Sequence, residues 1–199
     1  MKSISNSGQI RIWLLSTIIM VILMILIGGV TRLTDSGLSM VEWRPLWGFL
    51  PPISQFEWNR VFELYMKSPE YIFKNKGMSL EEFKEIFFWE YFHRLWGRLI
   101  GIIFIIPLLF FIIVKKIPKS ILSKLFLILF LGGLQGFIGW WMVKSGLVND
   151  PTVSQYRLTI HLSNALLILS LLIWVYLDVK EGVSQIKPDL SFFMFSILF

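Results

Sequence analysis

Two histidines and no cysteine occur in the 199 residues, and both histidines fall inside long apolar runs. His93 stands just past the start of one run, in Glu90-Tyr91-Phe92-His93-Arg94-Leu95-Trp96-Gly97-Arg98, and His161 stands in the first turns of another. At ~100° per residue, Glu90, His93, Arg94, Gly97 and Gly101 share one helix face. A neutral imidazole in hydrocarbon can bond to a neighbouring helix or give a lone pair to a metal. Two of them at matched depth suit the axial positions of a haem iron, or another metal. Small residues lie beneath each, Gly97 and Gly101 under His93 and Ala165 under His161. A flat macrocycle could occupy such a slot, while close helix packing explains the same glycines with no cofactor. Both readings stand on the residues alone. The lack of cysteine removes disulfides, Cys-ligated zinc, iron–sulfur clusters and thiol catalysis.

Glu90, Arg94 and Arg98 are the ionisable groups nearest His93. Such groups beside a membrane helix usually face the bundle or a wet cavity. Arg94 and Arg98 could meet the propionates of a haem, or Glu90 and Arg94 could form an i,i+4 ion pair. Gln135 and Asn164 are further polar candidates for a helix interface.

The elements that carry these residues follow from composition. Hydrophobic residues make up 55% and charged residues 16% of the chain, with a mean hydropathy of +0.69. Soluble domains carry about 25% charged residues, so a membrane protein is expected. The net charge of +6 is spread out and forms no dense basic stripe, which excludes nucleic-acid binding. Four runs reach the ~20 residues a spanning helix needs. They cover about 12–30, 91–114 (with Pro107 inside), 125–143 and 158–177. A fifth run opens at Leu190 and reaches only Phe199. The fold class expected is an all-α, four-helix transmembrane bundle plus an incomplete fifth helix. Residues 1–178 form the histidine-bearing half, and 179–199 a cytoplasmic loop and the start of a truncated second half.

Lys115, Lys116, Lys119, Lys124, Lys180 and Lys187 crowd two connections, and Lys2 and Arg11 the N-terminus. Lysine and arginine favour the cytoplasmic side, which puts the N-terminus inside. The long loop of residues 31–89 then lies outside. Ser54 with Glu57, and Ser79 with Glu82, have capping-box spacing and predict two short interfacial helices within it. Trp43, Trp47, Trp58 and Trp89 suit a loop lying on the headgroups. A weak repeat pairs Gly28-Gly29 and Ser36-Gly37-Leu38 with Gly132-Gly133 and Ser145-Gly146-Leu147.

Several long motifs, in one order, resemble the heme A synthase family. They are Gly28-Gly29-Val30-Thr31-Arg32-Leu33-Thr34-Asp35-Ser36-Gly37-Leu38-Ser39-Met40 with Trp43-Arg44-Pro45, the Glu90–Arg98 run, Gly132-Gly133-Leu134-Gln135-Gly136 on to Leu147, and Tyr156-Arg157-Leu158 to His161-Leu162. The resemblance covers about residues 12–176, and the cysteine-free outer loop points to the mitochondrial and alphaproteobacterial-like subfamily. It implies a membrane oxidoreductase that oxidises a methyl substituent of heme O to the formyl group of heme A for cytochrome oxidase. The family's iron-holding pair maps onto His93 and His161, and its glutamate onto Glu90, which would stabilise positive charge or handle protons.

The family also implies a second four-helix half with another histidine pair, for a heme b. This chain has no further histidine, so it reads as the substrate half alone. A haem-carrying electron-transfer subunit and an inactive truncated product are the alternatives. Heme O is the implied substrate. Heme O synthase, cytochrome oxidase assembly factors and a second copy of the chain are the partners considered. The N-terminus lacks a transit-like character, which points to a bacterial cell inner membrane.

Overall fold

The computed structural model describes residues 7–42, 49–148 and 151–181. Trp43, Trp47 and the fifth run from Leu190 lie outside the described residues. Among the described residues, six helices and no strand occur: α1 (Ser7–Leu33), α2 (Gln55–Tyr65), α3 (Pro69–Phe73), α4 (Leu80–Ile113), α5 (Lys119–Gly146) and α6 (Gln155–Glu181). Helices α1, α4, α5 and α6 are long and apolar enough to cross a membrane, as the four runs led one to expect.

One expected boundary is corrected. Ser79 Oγ accepts from the Glu82 backbone while Glu82 Oε2 accepts from the Ser79 backbone, so the capping box is complete. It opens no separate interfacial helix; it opens α4 itself. Nothing between Phe87 and Tyr91 is proline or glycine, and the helix runs from the loop straight into the span. The signature at Ser54 does start a separate helix, α2, and Ser68 caps α3 with Pro69 in its first turn. Helices α1 and α4 both end in six-to-one and five-to-two bonds. Ser36 N donates to Thr31 O and Asp35 N to Arg32 O; Lys116 N donates to Phe111 O and Lys115 N to Ile112 O. Asp35 and Lys115 take the left-handed conformation that this ending requires, at φ 49° and 52°.

Helix α1 is the hub, packed along α4 on one side and α6 on the other, with α5 against α6. Pro107 does not break α4, although it has no N–H for the carbonyl of Ile103. That carbonyl is met from across the bundle by Trp13 Nε1 of α1, at 3.0 Å. Trp96 Nε1 reaches back to Met20 O at 3.0 Å, a second tie between the same helices. The two Ser-Gly-Leu motifs meet in space. Leu38 sits on Gly146, where a Cβ would come within 2.8 Å of its methyls and 3.1 Å of Thr152 O.

The buried apolar core fills only the lysine-bearing end. Leu14, Ile18 and Val21 meet Phe104, Leu108, Leu125, Ile128, Leu172 and Val175 there. Towards the loop end the core stops. No residue is buried on α1 between Val21 and Thr31, on α4 between Glu90 and Phe104, or on α6 before Ile168, and α5 buries only Ile138 and Gly146 there. Above that uncored half lies a small aromatic cap. Tyr65, Phe83 and Phe87 are buried in it, and Trp58 packs edge-on to Phe83 and Phe87. Trp58 is therefore a packing residue of the cap, and its place is set by ring contacts.

Candidate functional site

Both histidines fall in the uncored half, His93 on α4 and His161 on α6, each half-buried. Their Nδ1 atoms are fully buried with no hydrogen-bond partner among the described residues. Each ring leans on a glycine of a neighbouring spanning helix. A Cβ at Gly28 on α1 would lie 3.0 Å from His93 Cε1 and 3.5 Å from its Nδ1. A Cβ at Gly139 on α5 would lie 3.1 Å from His161 Cε1 and 3.6 Å from its Nδ1, with Nε2 further off at 3.9 Å. Both rings thus bring Cε1 closest to a glycine, with Nδ1 next; Nε2 of His161 is also within 4 Å of its seat, and Nε2 of His93 is not.

Of the glycines singled out from sequence, Gly28 and Gly139 touch a histidine ring and the rest do not. A Cβ at Gly97 would meet Met24 Cε at 3.3 Å, while Gly101, Gly132, Gly133 and Gly136 face open space. The seats are Gly28 and Gly139, which the sequence repeat had not paired with each other. Only a helix rotation decides which glycine meets a ring, and spacing along one helix carries no record of its neighbour.

Glu90 is 3% exposed and fully engaged. Its Oε2 accepts from Ser39 Oγ and from the Met40 backbone N–H, each at 2.7 Å. Its Oε1 accepts from Arg94, which also donates to Met40 O at 3.2 Å. The ion-pair reading of Glu90 and Arg94 therefore holds, and the pair pins the end of the 34–40 turn to α4. Buried ion pairs are costly to leave half-made, so this clamp acts as a unit. Ser39 was not found from sequence because its partner is 51 residues away.

Arg94 and Arg98 together line a cavity of about 320 Å³ under the loop, beside Met40, Leu50, Pro52 and Ile53. Arg98 also stands 5.3 Å from the Phe49 ring centre. Gln135 and Asn164 join α5 to α6, and Gln135 reaches His161 itself.

A second buried carboxylate sits in the cap. Glu70 of α3 is 3% exposed and accepts from Tyr65 Oη at 3.0 Å; Asn75 Nδ2 donates to the same Tyr65 oxygen at 2.7 Å. Burial pushes the Glu70 carboxyl up to about 7 against the pull of the Tyr65 hydroxyl, and burial also raises the Tyr65 phenol. No spacing rule marks Glu70 in advance.

Two half-buried imidazoles, each on a glycine seat, and a loop pinned through a buried ion pair mark the loop end of a membrane helix bundle. No third His, Asp or Glu side chain converges with them among the described residues. Residues 11–199 match the model of the COX15-CtaA family, described as cytochrome oxidase assembly protein, and the chain belongs to that family, the heme A synthases. It is 56% identical over 169 residues to the heme A synthase of Nitrosospira multiformis, covering 85% of this chain and 48% of that protein. Against the heme A synthase of Parvibaculum lavamentivorans it is 46% identical over 183 residues, 92% of this chain and 53% of the other. Against that of Granulibacter bethesdensis the figures are 50% over 184 residues, 92% and 49%. The chain thus spans about half the length of the curated relatives it matches. No solved structure matches it.

Proposed function

We propose that this chain is the substrate-holding half of a heme A synthase. His93 and His161 hold the iron of heme O while one methyl substituent is oxidised to the formyl group of heme A. The observation that carries this is the pair of Gly–His seats, each with the buried Nδ1–Cε1 edge of a ring against a glycine of a neighbouring spanning helix, in the half of the bundle where α1, α4 and α6 bury no apolar residue. Two imidazoles without further protein ligands suit a metal whose other positions a macrocycle fills. The bound haem supplies the redox-active iron and the methyl group.

The chain's own residues do the rest. Gly28 and Gly139 set the ring planes, and α1 separates the two histidine helices. Glu90, one turn from His93, stabilises positive charge beside the ring, and Ser39, Met40 and Arg94 keep it in place. Arg98 and Arg94, facing the cavity under the loop, are the cations for the haem propionates. A heme b with its own histidine pair belongs to a second half of the protein. Heme O synthase and cytochrome oxidase assembly factors are the proposed partners. The setting is the bacterial inner membrane, with the N-terminus in the cytoplasm and 1–178 as the haem-holding unit.

A reduced-minus-oxidised absorbance spectrum of the chain, produced with a heme O source, tests this beside His93→Ala and His161→Ala. Low-spin bands are expected in the parent and absent from both variants; bands that survive either substitution reject the paired site. Extraction of the pigment from cells supplying the whole protein separates heme O from heme A. The engagement of both Glu90 oxygens favours one other reading, a haem-carrying electron-transfer subunit in which Glu90 only holds the loop. Glu90→Gln should stop heme A formation on the first reading and leave haem content and function intact on the second.

A further inference from the structure

We infer that Gln135 is a positioning residue that sets the tautomer of His161, keeping the proton on Nδ1 and the lone pair on Nε2. Two backbone carbonyls orient the whole network, because a carbonyl can only accept. Asn164 Nδ2 lies 3.1 Å from Leu131 O, so its amide nitrogen must face that way, and the same nitrogen donates to Gln135 Oε1 at 2.7 Å. Gln135 Nε2 must then face His161, where it donates to the His161 carbonyl at 3.0 Å. The same nitrogen stands 3.2 Å from His161 Nε2. An amide nitrogen brings hydrogens and no usable lone pair, so His161 Nε2 must be the acceptor. A neutral imidazole carries one N–H, which leaves it on Nδ1, the edge that leans on Gly139.

The consequence is a ring already in the form a metal can take without a proton leaving it. Nε2 holds its lone pair towards Gln135, and the Gln135 amide is the bond that gives way when a metal arrives. No hydrogen bond between described residues gives His93 a comparable amide, so the two ligands are prepared differently. What the ring ligates rests on the function proposed above; which nitrogen carries the proton does not.

The test uses the chain in lipid nanodiscs, without haem, labelled with ¹⁵N-histidine. With two histidines in the sequence, a His93→Asn variant assigns the spectrum. Imidazole ¹⁵N shifts distinguish protonated from bare nitrogens, and His161 is expected with Nδ1 protonated and Nε2 bare. Gln135→Leu should give a mixture, and Gln135→Glu should move the proton to Nε2, facing the new carboxylate. Asn164→Leu should also relax the preference, and serves if Gln135→Leu does not fold. A parent spectrum with Nε2 protonated, or one indifferent to all these changes, overturns the assignment. In a hemin titration read by absorbance, Gln135→Glu should bind measurably more weakly than the parent, because the proton it places on Nε2 must leave before a metal can take that nitrogen. A parent chain with the expected tautomer that takes up no hemin would sink the haem reading and leave this one standing.

Discussion

One methyl group decides the residue scale. Gly28→Ala puts a Cβ 3.0 Å from His93 Cε1, and Gly139→Ala puts one 3.1 Å from His161 Cε1. Overpacking of this kind costs about 1–3 kcal/mol, small enough for the helices to survive. Each single alanine is therefore expected to keep the circular dichroism of the parent and lose or broaden the low-spin bands; unchanged bands in both would mean that the glycines are not seats. Gly136→Ala, which faces open space, is the control. Histidines and ionisable residues in a hydrocarbon run are conspicuous in sequence, because nothing about membrane packing calls for them. The i,i+4 relation of Glu90 and Arg94 is equally plain, since one helix carries both. What the sequence did not show is what those groups touch on other helices. Gly139 under His161 depends on how two helices rotate against each other, and Ser39 on Glu90 on how the 34–40 turn folds back onto α4; no spacing rule encodes either.

Between helices, the tie from Trp13 to Ile103 answers the defect that Pro107 makes in α4. Trp13→Phe keeps the ring packing against Phe104 and Phe111 but leaves the Ile103 carbonyl bare in an apolar setting. The cost should be about 1–3 kcal/mol, read as a lower unfolding midpoint in detergent titration; Pro107→Ala in the same background should restore most of it. Proline in the span was legible, but its partner was not. The same contrast holds in the cap, where the Ser54 and Ser79 signals placed helix starts correctly and failed to say that one start belongs to a spanning helix.

Glu70 gives the cap a pH dependence. Burial raises its carboxyl from the usual 4.5 to about 7, so the folded cap binds the proton more tightly than the unfolded one. Its stability is then full below about 4.5, declines as pH rises towards 7 and levels off beyond. Fluorescence of Trp58 during urea unfolding should show a midpoint that falls between pH 5 and pH 8, and Glu70→Gln should flatten that slope.

At the scale of the molecule, the four spans and the lysine-rich end were legible because hydrocarbon thickness and charge bias act on whole segments. The expected orientation can be checked with single cysteines, since the parent has none. A cysteine at Ser54 should react with an impermeant maleimide added outside intact cells, and one at Lys115 only after lysis; the reverse pattern inverts the topology. The uneven core was legible only in part: the loop-side half of α4 carries Glu90, His93, Arg94 and Arg98 and its other half no charge, but what each half of a span faces is not written in one helix. Its consequence concerns assembly. A bundle with its packed apolar core at the lysine-bearing end has a foot that does not depend on a pigment for its packing. On the function proposed here, occupancy then supplies the missing half of the interior. Saturation at 100 times the dissociation constant adds about 2.7 kcal/mol, so a loaded copy should melt later than an empty one. An empty copy is thus marked as unfinished by the looseness of its outer end, which offers membrane proteases a way to sort the two.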